Sequence, residues 1–261
     1  MKHEIFGLDF SAAADPGEKI WISKGHLKKD EIVLEYTESA KALWGSLISK
    51  EDYYTKIRDL VLENPSGVFG MDFSFNLPEE CRAGATWKDF ICSIRRNFLN
   101  AEDFRAHCLK MTGGREKRRK VELDMGAPLS PYNLWIYKQT YHGMRDILSP
   151  LMDSASIVPY TKALTERPWI LEVYPGLILK ERDLYIPYKG TGHNKSTKSQ
   201  NRELIVDEVT SKSVDGVDLK VDKSFIAKMK ENSGGDALDS FMALLVTYRF
   251  YKQFITNEKL F

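Results

Sequence analysis

Two short apolar runs in the first third of the chain each carry one aspartate in the same setting: Gly7-Leu8-Asp9-Phe10-Ser11 and Gly70-Met71-Asp72-Phe73-Ser74. An ionised carboxylate buried without a partner is strongly unfavourable, so each needs a hydrogen-bond donor, a cation or a metal. Either aspartate alone is explained equally well as a residue that closes the loop after its strand with its own side chain. The pair is more constraining. If both strands run the same way in one sheet, their C-terminal ends share the edge at which open α/β sheets bind ligands.

The order of elements permits that arrangement. Ile5 to Phe10, Lys19 to Lys24 and Glu31 to Thr37 read as three strands with short connections, an antiparallel meander. Ser39 to Glu63 has helical spacing of apolar residues and stops at Asn64-Pro65-Ser66-Gly67. Val68 to Phe73 follows as a strand, and a strand–helix–strand crossover sets it parallel to an earlier one. Residues 79–167 change character and read as a mainly helical insertion, with helices expected at Thr86–Phe98, Asn100–Met111 and Pro131–Ser149. Trp169 to Tyr174 is a fifth strand with a single acid, Glu172, late in it. Tyr185 to Asn201 reads as a mobile polar loop, and short helices are expected at Arg202–Lys212 and Lys223–Glu231. An apolar helix closes the chain. The expectation is one α/β domain over residues 1–261 with a mixed five-stranded sheet, helices on both faces, and the insertion at 79–167.

The closing helix opens with Gly234-Gly235-Asp236-Ala237-Leu238-Asp239. Asp236 reads as its N-cap and Asp239 as a first-turn acid, both favoured by the helix dipole. Positions i and i+3 also share a helix face, so both carboxylates can reach one ion. Ser240 and Ala243 are small enough to let this helix lie close to the sheet. Its N-terminus could then bring Asp236 and Asp239 to Asp9 and Asp72. Four or five carboxylates together repel one another unless cations are present, and Mg²⁺ or Mn²⁺ with oxygen ligands suits that role. Two such ions can activate water and stabilise the leaving oxygen of a phosphodiester. Glu172 is a further candidate, with an ion pair to a neighbouring base such as Arg167 as the structural alternative.

These motifs together resemble the ribonuclease H-like superfamily, and most closely an uncharacterised family described as ribonuclease H-like nucleases. The resemblance rests on Gly7-Leu8-Asp9, Asp72 with Pro78, Glu172-Val173-Tyr174-Pro175, Tyr188-Lys189-Gly190 and Asp236-Ala237-Leu238-Asp239. The last is similar to the D-x-x-D helix of Holliday-junction resolvases, with Ser240 in place of a small apolar residue. The resemblance implies a three-layer ribonuclease H-like fold and a divalent-metal-dependent nuclease. Asp9, Asp72 and Asp239 would hold the metals, with Asp236 as a further ligand or water orienter and Glu172 as a peripheral ligand or base. Two alternatives stand beside it: a catalytically idle binding module of the same fold, and an actin-like nucleotide-binding phosphotransferase, which also begins with a G-x-D strand.

The net charge of +1 gives no global signature of a nucleic-acid binder, so any basic surface is local. Arg115, Lys117, Arg118, Arg119 and Lys120 form one basic run; Lys189, Lys195, Lys198 and Arg202 form another. Both are candidates for holding the phosphate backbone of DNA or RNA. Trp87, Tyr132, Trp135, Tyr137 and Tyr141 are candidate base-stacking rings, although their spacing better suits a core. No apolar run of about 18 residues marks a membrane span, and the start lacks a signal-peptide pattern. Cys81, Cys92 and Cys108 cannot all pair with one another and have no metal-ligand spacing, so a reduced, cytoplasmic protein is expected.

Overall fold

The structure is a computed structural model that describes residues 2–29, 31–47 and 49–256. Its centre is a mixed sheet of seven strands in the order β5-β6-β4-β1-β2-β3-β7. These are β1 (Glu4–Asp9), β2 (Trp21–Lys28), β3 (Glu31–Ser39), β4 (Gly67–Met71), β5 (Ser156–Val158), β6 (Trp169–Glu172) and β7 (Asp218–Lys220). The meander is present: β1 pairs antiparallel with β2, and β2 with β3. β4 lies parallel to β1, and β6 parallel to β4. The sheet is wider than the five strands expected, because β5 and β7 add one three-residue strand at each edge. Such short edges carry too little pattern to be read from sequence.

The helix expected over Ser39–Glu63 is two helices, Ala40–Trp44 and Lys50–Glu63. Gly45 ends the first in the positive-φ region at 78°, which glycine adopts without strain. Ser49 starts the second with a capping box: its hydroxyl accepts from the Asp52 N–H at 3.2 Å, and its own N–H donates to the Asp52 carboxylate at 2.8 Å. The second helix covers one face of the sheet, burying Tyr53, Tyr54, Ile57 and Val61.

On that face Phe6, Leu8, Phe69, Met71 and Ile170 form one core with side chains of residues 79–167, including Phe104, Tyr141 and Ile147. Phe6 and Phe69, opposite one another in β1 and β4, stack at 4.2 Å. Residues 79–167 are mainly helical, with helices at Trp87–Asn97, Ala101–Met111 and Tyr137–His142, and they also contribute β5. The other face packs against the closing helix, Asp236–Thr256, which is buried nearly all round from Ala237 to Tyr248. Among the described residues no helix is long and apolar enough to cross a membrane.

Candidate active site

Asp9 and Asp72 end adjacent parallel strands. Gly7 pairs with Gly70 and Leu8 with Met71, and the Asp72 N–H donates to the Leu8 carbonyl at 3.0 Å. Side chains alternate along a strand, and neighbouring strands lie about 4.8 Å apart, so both aspartates stand side by side on the glycine face. This is the closing-helix face. A Cβ on Gly7 would lie 2.1 Å from the Leu244 nitrogen and 2.2 Å from the Ser240 carbonyl oxygen; one on Gly70 would lie 1.7 Å from the Thr247 hydroxyl. The helix therefore rests on the two glycines that precede the acids. The sequence carries that signal, since a glycine two residues before each aspartate in a strand shares its face. A buried hydroxyl cluster fixes the same end of the helix: the Ser23 hydroxyl meets Thr37 at 2.9 Å and Ser240 at 2.8 Å.

The closing helix brings Asp239 to this edge, buried at 3 % exposure. Its carboxylate accepts from the Tyr188 hydroxyl and pairs with the Lys189 ammonium. The segment bearing these two donors is anchored from behind. The Arg202 guanidinium donates to the Tyr188 carbonyl at 2.9 Å and the Lys230 carbonyl at 2.7 Å, while the Gly190 N–H donates to Ser233 at 2.8 Å. Gly190 (φ 98°) makes the turn that leaves Lys189 facing Asp239. Asp236 is the first helical residue rather than the cap. Asn232 takes the capping role, accepting from the Ala237 N–H at 3.2 Å, and Asp236 pairs with Lys19 at 3.2 Å.

The electrostatics follow from this crowding. Among the described residues the Asp9 and Asp72 carboxylates have no hydrogen-bond or ion-pair partner. Burial pushes the Asp9 carboxyl well above the usual range; the Asp239 charge adds to this, Lys189 opposes it, and Asp72 and Asp236 raise it further. Burial, then Asp239, lifts Asp72 to about 7 against the pull of Lys189. Burial works against the charge on Lys189, but Asp239 and then Asp9 outweigh it and hold the ammonium firmly protonated.

Glu172 does not join this group. It pairs in register with Met71, which puts it on the opposite face of the sheet from Asp72. There it accepts from the Phe75 N–H at 3.0 Å and pairs with Arg119, not with Arg167. Arg119 is accordingly no surface phosphate contact: its side chain is 8 % exposed and bridges Glu122 and Glu172. Arg202, buried at 5 %, is likewise an internal anchor. Of the remaining basic candidates, Lys117 pairs with Glu80 and Lys120 with Asp124, while the Arg118 guanidinium donates to Ala127. Arg115 and Lys195 are exposed. The segment expected to be a mobile loop becomes helical at Lys195, in a helix that runs to Ser211. Its start is polar because it is solvated, so it lacks apolar periodicity; the buried residues Ile205, Val206 and Val209 come later. Trp87, Tyr132, Tyr137 and Tyr141 are core, whereas Trp135 is 83 % exposed.

A cavity of about 480 Å³ opens beside the acids, with Asp72, Asp239, Lys189 and Lys198 in its walls. The donor chemistry, carboxylate oxygens with two of them unpaired, suits a hard divalent cation. Even so, among the described residues no three His, Cys, Asp or Glu side chains form a group able to hold a metal ion, and Lys189 supplies the cation at Asp239. The cysteines Cys81, Cys92 and Cys108 are all free thiols. No protein-family model, curated protein or solved structure matches this chain.

Proposed function

We propose that this chain is a divalent-metal-dependent nuclease, built on a ribonuclease H-like arrangement, that hydrolyses phosphodiester bonds in nucleic acid. The observation that carries the reading is the pair Asp9 and Asp72: adjacent, half-buried, unpaired carboxylates at the C-terminal edge of parallel strands. The meander, the crossover to a second acid-bearing strand and the closing helix with Asp239 support the same arrangement. Asp9, Asp72 and Asp239 would hold Mg²⁺ or Mn²⁺, with Asp236 close by. Such an ion supplies Lewis-acid stabilisation of phosphoryl oxygens and a reactive water near neutral pH. Asp9 and Asp72 offer free acceptor oxygens, Tyr188 and Lys189 fix the Asp239 carboxylate, and Lys198 places a positive charge in the cavity wall where a phosphate would lie.

Two observations favour the idle-module reading: among the described residues no three His, Cys, Asp or Glu side chains form a group able to hold a metal ion, and Lys189 already neutralises Asp239, as a structural ion pair would. Cleavage separates the two readings. In Mn²⁺ the wild type is expected to cut at least one member of a panel of single-stranded, duplex, hybrid and branched DNA and RNA, and on that substrate Asp72→Asn and Asp239→Asn should each lose at least about 100-fold. Metal-dependent cleavage that survives in both Asp9→Asn and Asp72→Asn refutes the nuclease mechanism.

A further inference from the structure

The cavity beside Asp72 and Asp239 has an aromatic corner that the hydrolytic reading does not use. Tyr174 and Tyr185 line it, with their hydroxyls 3.1 Å apart. The Lys180 ammonium sits 4.8 Å from the Tyr185 ring centre and 5.8 Å from that of Tyr174, and it also donates to the Gly126 carbonyl. These contacts fix the corner before any ligand arrives, which lowers the ordering cost of binding. Tyr185 is nevertheless 52 % exposed, so ring surface is left over. Lys198 also lines the cavity, half-buried and with no ion-pair partner among the described residues. It lies in the first turn of a helix that has no acid in that turn, so the dipole adds to its positive charge.

We propose that this cavity receives one unpaired nucleotide of a nucleic-acid strand. The base would lie against Tyr185 and the adjoining phosphate near Lys198, beside the acids. A cavity of about 480 Å³ falls within the size that encloses a small organic ligand and matches one nucleotide. A base held in a duplex cannot enter such a concavity without leaving its stack. The substrate class is therefore a strand with unpaired nucleotides, single or frayed at an end, and not a fully paired duplex. That this nucleotide adjoins the bond to be cut rests on the nuclease reading; its binding does not.

The test is fluorescence anisotropy in chelator, where no cleavage occurs, with labelled oligothymidylate, labelled oligouridylate and a blunt duplex of equal length. At least one single strand is expected to bind more tightly than the duplex. Tyr185→Ala is expected to weaken that binding by about 5- to 100-fold, the effect of one lost base stack, while Tyr185→Phe, which keeps the ring, binds as the wild type. Tyr185 is exposed, and an unchanged melting temperature confirms the fold of both variants. The proposal is overturned if no single strand binds, if the duplex binds as well as the single strands, if Tyr185→Ala binds like the wild type, or if Tyr185→Phe loses as much as Tyr185→Ala. Cleavage in Mn²⁺ is scored separately. Tyr185-dependent binding without cleavage overturns the hydrolytic reading alone, and cleavage without Tyr185-dependent binding overturns this proposal alone.

Discussion

Replacing Asp72 by asparagine should stabilise the metal-free protein at high pH. In the folded chain the Asp72 carboxyl is pushed up to about 7, against 3.8 for an ordinary aspartate. Its folded value lies above its unfolded one, so the stability that it contributes is fully present below the unfolded value. That contribution is lost as pH rises through about 7. At about pH 8 the ionised group costs about 4 kcal/mol relative to its protonated form, since each pH unit of displacement is worth about 1.4 kcal/mol. At about pH 5 the cost is under about 2 kcal/mol, because the folded carboxyl is still protonated there. Asparagine has the same shape and never ionises. Allowing for relaxation, Asp72→Asn should gain about 2–4 kcal/mol over the wild type at about pH 8, or roughly 4–16 °C in melting temperature for a chain of this size. The gain should shrink by more than half at about pH 5. Calorimetry in chelator at the two pH values measures it. Added Mn²⁺ at about a thousandfold excess over Kd should cancel or reverse that gap, because an ion bound only by the folded wild type then stabilises it by about 4 kcal/mol. An asparagine variant that is less stable than the wild type at about pH 8, or a gap that does not change with pH, refutes the reasoning.

Gly7→Ala should cost at least about 3 kcal/mol in denaturant unfolding, because its Cβ would strike the closing-helix backbone at Leu244. Gly70→Ala should cost less, since its Cβ would meet side-chain atoms of Thr247 and Val173 rather than helix backbone. Lys189→Met should destabilise the chelated protein by roughly 1–3 kcal/mol, a figure reduced because the lysine is half-exposed. It should also tighten Mn²⁺ binding measured by calorimetry, and weaker binding would show that Lys189 does not compete with the ion. Arg119→Ala should destabilise by about 3–5 kcal/mol, because it strands Glu122 and Glu172 in a buried setting. The same variant should leave oligonucleotide affinity unchanged in filter binding, and a large loss of affinity would restore Arg119 to the surface role that its sequence suggests.

Much of the framework was written locally and could be read locally. The short apolar runs around Asp9 and Asp72 mark two strands with an acid at the end. The Asn64-Pro65-Ser66-Gly67 stop between them implied the crossover that makes those strands parallel. Gly45 and the Ser49–Asp52 capping box impose a helix break that apolar spacing does not reveal, because the spacing continues across it. Other features depend on contacts between distant parts of the chain. Glu172 looked like a third member of the acid group because it too falls late in a strand. Its face is fixed by the pairing of Glu172 with Met71, a choice made between strands about 100 residues apart in the chain. Arg119 was indistinguishable from Arg118 and Lys120, and only docking against Glu172 buries it. The sequence by itself determined the five inner strands, the closing helix and the carboxylates that end or open them, because those preferences act over a few neighbouring residues. Which acids meet, and that Lys189 and Tyr188 close on Asp239, was decided by the tertiary structure, since burial and charge are properties of the assembled surroundings and not of any stretch of chain.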